Sequence, residues 1–105
     1  MSAAETVEVR DAPERERYEI TLDGELAGHL DYMLRKSLIA LIHTEVDERF
    51  EGHGLGSRLI RFALDDARGR GLEVLPFCPF VKSYVEGHPE YADLVPADMR
   101  ARFGL

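Results

Sequence analysis

Three glycines alternate at Gly52, Gly54 and Gly56, where an apolar run, Leu38 to Val46, gives way to a stretch with helical periodicity, Leu55 to Arg70. Glycine lets a backbone turn tightly and approach a ligand with no Cβ in the way. A helix starting there presents the unpaired N–H groups of its first turn, and such a site favours an anion, for example a pyrophosphate. The run is not a nucleoside-triphosphate loop, because no Gly-Lys-Ser or Gly-Lys-Thr follows. Nor is it a dinucleotide fingerprint: it reads GxGxG, and the strands before it have antiparallel patterning. The competing reading is a glycine-rich turn that binds nothing.

Other candidate groups flank this loop. In the strand leading to it, His43 and Glu45 share one face while Thr44 and Val46 share the other. At the carboxyl end of a strand, either His43 or Glu45 can take a proton from an attacking ammonium, directly or through a water. Their plain alternatives are a satisfied core histidine and a strand-end charge. Cys78 precedes Pro79, which suits a first helical position, so Cys78 falls at a helix N-cap where a thiolate is stabilised. Its alternative is a small buried hydrophobe. His29, His53 and His88 lack metal-site spacing. Tyr32, Tyr84 and Tyr91 read as core or rim aromatics first and as walls of an acceptor site second.

The elements that must position these groups follow from periodicity. Val7 and Val9 mark a short edge strand, and the APERER stretch, Ala12 to Arg17, interrupts it. Tyr18, Ile20 and Leu22 alternate, Asp23 and Gly24 signal a hairpin, and Leu26, Leu30, Tyr32 and Leu34 mark the return. A two-residue loop pairs Leu22 with Glu25 and sets Tyr18 and Ile20 on the face opposite Leu26 and Leu30. An odd loop with a bulge at Gly24 places all of them on one face and is the predicted arrangement. Leu38 to Ile42, apolar throughout, predicts a central strand covered on both faces. Leu55, Leu59, Ile60, Ala63, Leu64 and Ala67 form a helical stripe, with Gly69 and Gly71 as its stop. Leu72 to Leu75 is the next strand, which makes a parallel crossover. A short helix then runs from Pro79 to about Gly87, and a last one from Pro96 to Phe103. The expected class is α/β, with antiparallel N-terminal strands, a parallel β-α-β unit and short C-terminal helices.

At 105 residues the chain reads as a single domain, residues 1–105. A formal charge of −7 argues against a nucleic-acid phosphate backbone as partner. No apolar run reaches membrane-spanning length, and no signal-peptide pattern opens the chain. One cysteine suits a reducing compartment, so a cytoplasmic location is expected.

The loop EGHGLG, Glu51 to Gly56, resembles the pyrophosphate motif of the GNAT superfamily of acetyl-coenzyme A dependent N-acetyltransferases: Arg or Gln, two residues, Gly, one residue, then Gly or Ala. HTEV at His43 to Val46, CPFVKSY at Cys78 to Tyr84 and HPEY at His88 to Tyr91 are similar to the small stand-alone GNAT-like proteins. The resemblance implies a GNAT-like mixed sheet, acetyl-CoA as cofactor, and acetyl transfer to a primary amine on a small molecule or peptide, by a monomer or weak homodimer. It assigns Val46, Gly52, His53, Gly54, Leu55, Gly56 and Ser57 to the cofactor, with Cys78, His43 and Glu45 as catalytic candidates. Two positions depart from the pattern. Glu51 replaces the basic or amide residue, and Val85 stands where larger relatives carry the tyrosine that protonates the leaving thiolate. These departures support an alternative, a coenzyme A binding or sensing module without significant catalysis.

Overall fold

The computed structural model describes residues 5–105. Five strands form one sheet in sequence order: β1 (Val7–Ala12), β2 (Arg17–Leu22), β3 (Glu25–Arg35), β4 (Leu38–Val46) and β5 (Glu73–Pro76). Strands β1 to β4 are antiparallel neighbours, and β5 joins β4 in parallel after helix α1 (Leu55–Gly69). Helix α2 (Pro79–Gly87) follows β5. This is the GNAT-like mixed sheet that the sequence implies.

Both helices belong to a single hydrophobic core on one face of the sheet. The predicted stripe of α1 is its buried face: Leu55, Leu59, Ile60, Ala63, Leu64 and Ala67 pack with Tyr18, Ile20, Leu30, Ile39 and Leu41. Each fully buried Leu or Ile stabilises the fold by about 1.5–3 kcal/mol relative to exposure. Polar tips of core tyrosines pin the layers together. Tyr18 Oη donates to Asp66 on α1 at 2.7 Å, and Tyr91 Oη donates to Asp65 at 2.7 Å. Helix α1 ends where Gly71 turns left-handed (φ 69°) and the Leu72 N–H reaches back to the Ala67 carbonyl at 2.8 Å.

Three expectations are corrected. The β2–β3 loop has two residues, not an odd number: Leu22 pairs with Glu25, and Asp23 and Gly24 both take positive φ (52° and 82°). Asp-Gly is a strong signal for this turn, whose twist matches the strands it joins. The extra residue lies further along, at Ala27, because Thr21 pairs with Leu26 while Ile20 pairs with Gly28. That slip returns Leu30 to the core face and leaves Leu26 on the other, 45% exposed.

Strand β4 is not covered on both faces. Tyr32 pairs with Leu41 and Asp31 with His43, so Ile42 is an unpaired bulge residue, 42% exposed. The helices cover only the Ile39 and Leu41 side. Residues 96–103 are not an α-helix: Met99, Arg102 and Phe103 each donate to the carbonyl three residues back, which makes turns and a 3-10 segment, Ala101–Phe103.

The arrangement around β4 is what positions the site. Strands β4 and β5 pair only from Leu38 and Glu73 to Leu41 and Pro76. The Cys78 N–H then donates to the Leu41 carbonyl at 2.9 Å, and α2 turns away. From Ile42 to Val46 the outer edge of β4 has no strand partner among the described residues, and a cleft opens between β4, the start of α1 and α2.

Candidate functional site

The glycine loop gets its shape from two left-handed residues, Gly52 (φ 86°) and Gly54 (φ 69°), the second being the N-cap of α1. A Cβ placed at either would meet no atom of the described residues within 4 Å, so positive φ, rather than crowding, is what calls for glycine there. Gly54 supplies no side-chain cap, and the first turn of α1 carries no acidic residue. The first intrahelical bond that closes onto the cap is Arg58 N–H to Gly54 O, so the amides of Leu55, Gly56 and Ser57 precede it without intrahelical partners.

These three residues line a cleft of about 710 Å³, within the range of cofactor sites. Its floor is Thr44 to Val46 of β4, one wall is Gly52, Gly54 to Ser57 and Ile60, and the other is the Phe80, Ser83 and Tyr84 face of α2. Asp47 N–H donates to Ala27 O on β3. By the alternation of a strand, the backbone groups of Val46 and Thr44 therefore point the other way, into the cleft.

The structure brings together most of the residues singled out in the sequence. Val46, Gly52, Gly54, Leu55, Gly56, Ser57 and Glu45 line the cleft. His53 is not among the lining residues; its imidazole lies 3.2 Å from the Glu5 carboxylate. His43 is 3.4 Å from Glu45 on the sheet face away from the helices, 56% exposed at its side chain. Cys78 is the N-cap of α2 but does not cap it: its buried Sγ lies 3.3 Å from Thr44 Oγ1. Thr44 lines the cleft, so the thiol sits one residue behind the wall.

Tyr84, a core or rim aromatic first and a site wall second by its sequence, lines the cleft. Its ring stacks on His88 at 3.9 Å and 11°, and His88 Nδ1 lies 2.8 Å from the Tyr84 carbonyl oxygen. Burial raises its pKa, so its hydroxyl stays protonated at neutral pH. Phe80, 68% exposed, lies on the same helical face. The i, i+3, i+4 spacing of Phe80, Ser83 and Tyr84 was the available signal for this wall.

A pyrophosphate-bearing cofactor fits this geometry. The space before Gly52 and Gly54 is open, and three backbone amides face the cleft with no carboxylate capping them. Glu51 lines the edge, but its side chain is exposed and makes no hydrogen bond among the described residues, so it can turn to solvent. Among the described residues, no group of three His, Cys, Asp or Glu side chains is placed to hold a metal ion.

The sheet that splays at the end of β4, with a glycine-rich helix start beside the splay, is the frame of an acetyltransferase of the GCN5-related class. The sequence profile of the GCN5-related N-acetyltransferase family matches residues 17–94, and the chain belongs to that family. It is similar to Protein NATD1 of Xenopus tropicalis, 26% identical over 91 residues that cover 85% of this chain and 84% of the relative. A GCN5-like protein of Staphylococcus aureus solved by NMR shares the fold, with a TM-score of 0.64 at 22% identity, covering 85% and 87% of the two chains. The ribosomal-protein-S18-alanine N-acetyltransferase of Escherichia coli superposes with a TM-score of 0.55 at 15% identity, covering 68% and 64%.

Proposed function

We propose that the cleft binds acetyl-CoA and that the protein moves its acetyl group to a primary amine. The observation that carries this reading is the uncapped start of α1, whose amides face a cleft bounded by the unpaired edge of β4. The amides of Leu55, Gly56 and Ser57 would hold the pyrophosphate, with the helix dipole adding to their attraction. Thr44 and Val46 offer backbone groups to the pantetheine arm. When bound, acetyl-CoA supplies a thioester carbonyl to which a deprotonated amine can add.

The chain's own residues handle the protons. Glu45 lies at the cleft edge with His43 3.4 Å away, so the pair can accept the ammonium proton from the open face of the sheet. On the helix side, the Cys78 thiol meets the Thr44 hydroxyl at 3.3 Å, and this pair can return a proton to the departing thiolate through the Thr44 oxygen. Tyr84 and Phe80 wall the cleft on the α2 side.

Acceptor-dependent release of coenzyme A thiol tests the reading. Turnover above background with an amine, lost about 10²-fold in both Cys78→Ala and Cys78→Ser, supports transfer with Cys78 in the proton path. Equal turnover in both variants, with loss in Tyr84→Phe, would move that role to the Tyr84 hydroxyl. Coenzyme A binding with no acceleration for any amine would make the protein a coenzyme A binding module.

A further inference from the structure

A second groove, of about 700 Å³, is lined mainly by residues on the face of the sheet away from the helices, and it shares Glu45 and Val46 with the cofactor cleft. Its two ends carry opposite charge. At one end stand the carboxylates of Glu45, Asp47 and Glu48, with Arg49 bound to Asp47 and Glu25. At the other is Arg17, part of an unusual cluster: Arg10, Arg15 and Arg17 all donate to the one buried carboxylate of Glu19. Among the described residues, Glu14 also pairs there, through Arg10 and Arg15, while Asp31, the cross-strand partner of Arg17, makes no ion pair with it.

Within this cluster Arg17 is incompletely used. Its Nε donates to Glu19 Oε2 at 2.8 Å, while its two Nη groups have no protein partner among the described residues. A guanidinium holds five N–H donors in a planar fork that matches a carboxylate. The neighbouring floor, His29, is partly exposed and loosely paired, 3.7 Å from Asp31.

We propose that this groove is the acceptor subsite and that it takes an amino carboxylate, with the carboxylate on Arg17 and the reacting amine at Glu45 and His43. This rests on the acetyl-transfer reading of the adjoining cleft. The sheet itself sets the length of the acceptor. Glu19, His29 and Glu45 are direct partners across β2, β3 and β4. At about 4.8 Å per strand, with Arg17 two residues of about 3.3 Å further along β2 than Glu19, the two ends lie about 12 Å apart. With a hydrogen bond of about 3 Å at each end, the molecule itself must span about 6 Å. Six bonds of about 1.5 Å, extended in a zigzag, reach that length. The acceptor is therefore a lysine-like ω-amino carboxylate, and an α-amino group beside its own carboxylate is too short to bridge the groove.

The test uses 6-aminohexanoate, hexylamine and glycine as acceptors, with and without Arg17→Gln. The parent should favour 6-aminohexanoate over hexylamine and glycine by at least tenfold in kcat/KM. Arg17→Gln should raise KM for 6-aminohexanoate about tenfold, leave hexylamine unchanged and keep coenzyme A affinity, which also shows that the variant is folded. A separate titration of 6-aminohexanoate, with no acetyl-CoA present, should shift the Arg17 side-chain Nε resonance saturably where hexylamine does not. If no amine is acetylated but the Arg17 resonance still responds, the carboxylate site stands and the transfer reading falls. Equal use of 6-aminohexanoate and hexylamine, or an Arg17 resonance that ignores both, overturns the subsite.

Discussion

Gly54→Val separates the two jobs of the loop, because the structure supplies its own control. Gly54 and Gly71 have the same φ of 69°, and at neither would a Cβ meet an atom of the described residues within 4 Å. An L residue forced into the left-handed region costs about 1–2 kcal/mol, toward the upper end for a β-branched side chain. Each valine variant should therefore lose a similar amount, a fall in Tm of about 5–15 °C for a domain of this size. Only Gly54 faces the cofactor cleft. Its added side chain occupies space that a pyrophosphate would enter, so coenzyme A should bind at least tenfold more weakly, about 1.4 kcal/mol. Gly71→Val should bind as the parent does. Calorimetry on both variants below their melting range decides the matter. Equal affinity in Gly54→Val and the parent would remove the glycine loop as the cradle, and equal weakening in both variants would reduce the effect to lost stability.

The corrected register of β3 makes Leu30→Ala cost about 2–5 kcal/mol, while Leu26→Lys should fall within about 0.5 kcal/mol, both by urea unfolding. A large loss at Leu26 would mean that it faces the core after all. Hydrogen bonds from Arg15, and then Arg17, overcome desolvation to hold the Glu19 carboxyl down to about 2. A depressed folded pKa gives stability that is complete above the ordinary value of 4.5 and is lost as pH falls toward 2. Glu19→Gln should be less stable at pH 7 and lose less on acidification across that window; an unchanged pH profile would show that Glu19 contributes nothing there.

How much of this was legible in the sequence depends on how local the signal was. The bounds of β4, the start of α1 at Leu55 and the N-cap position of Cys78 were readable because each rests on neighbouring residues: an apolar run, a glycine, a following proline. The direction of the Cys78 sulfur was not, since it is set by Thr44, a partner 34 positions away. The hairpin shows how a local signal can be overruled wrongly. Asp23-Gly24 favours a two-residue turn, but placing every apolar side chain on one face required an extra residue, and nothing local fixed that residue at Ala27 rather than in the loop. The Ile42 bulge was hidden in the same way inside an all-apolar run. Because one residue of slip exchanges the faces of a strand, the groove built from Arg17, His29 and Glu45 could not be assembled before both bulges were placed. The place of the His53 side chain was hidden in the same way, since it is set by a contact with Glu5, 48 positions away.

The central claim is that backbone amides at the start of α1 hold the pyrophosphate of coenzyme A, and a titration of coenzyme A into ¹⁵N-labelled protein followed by amide resonances tests it most directly. The amides of Gly54, Leu55, Gly56 and Ser57 should shift saturably and with one common Kd, together with those of Thr44 and Val46, while β1 amides such as Val9 stay in place. Resonances of Gly54 to Ser57 that do not move at saturating coenzyme A, or that move only with those of a distant surface, would contradict it.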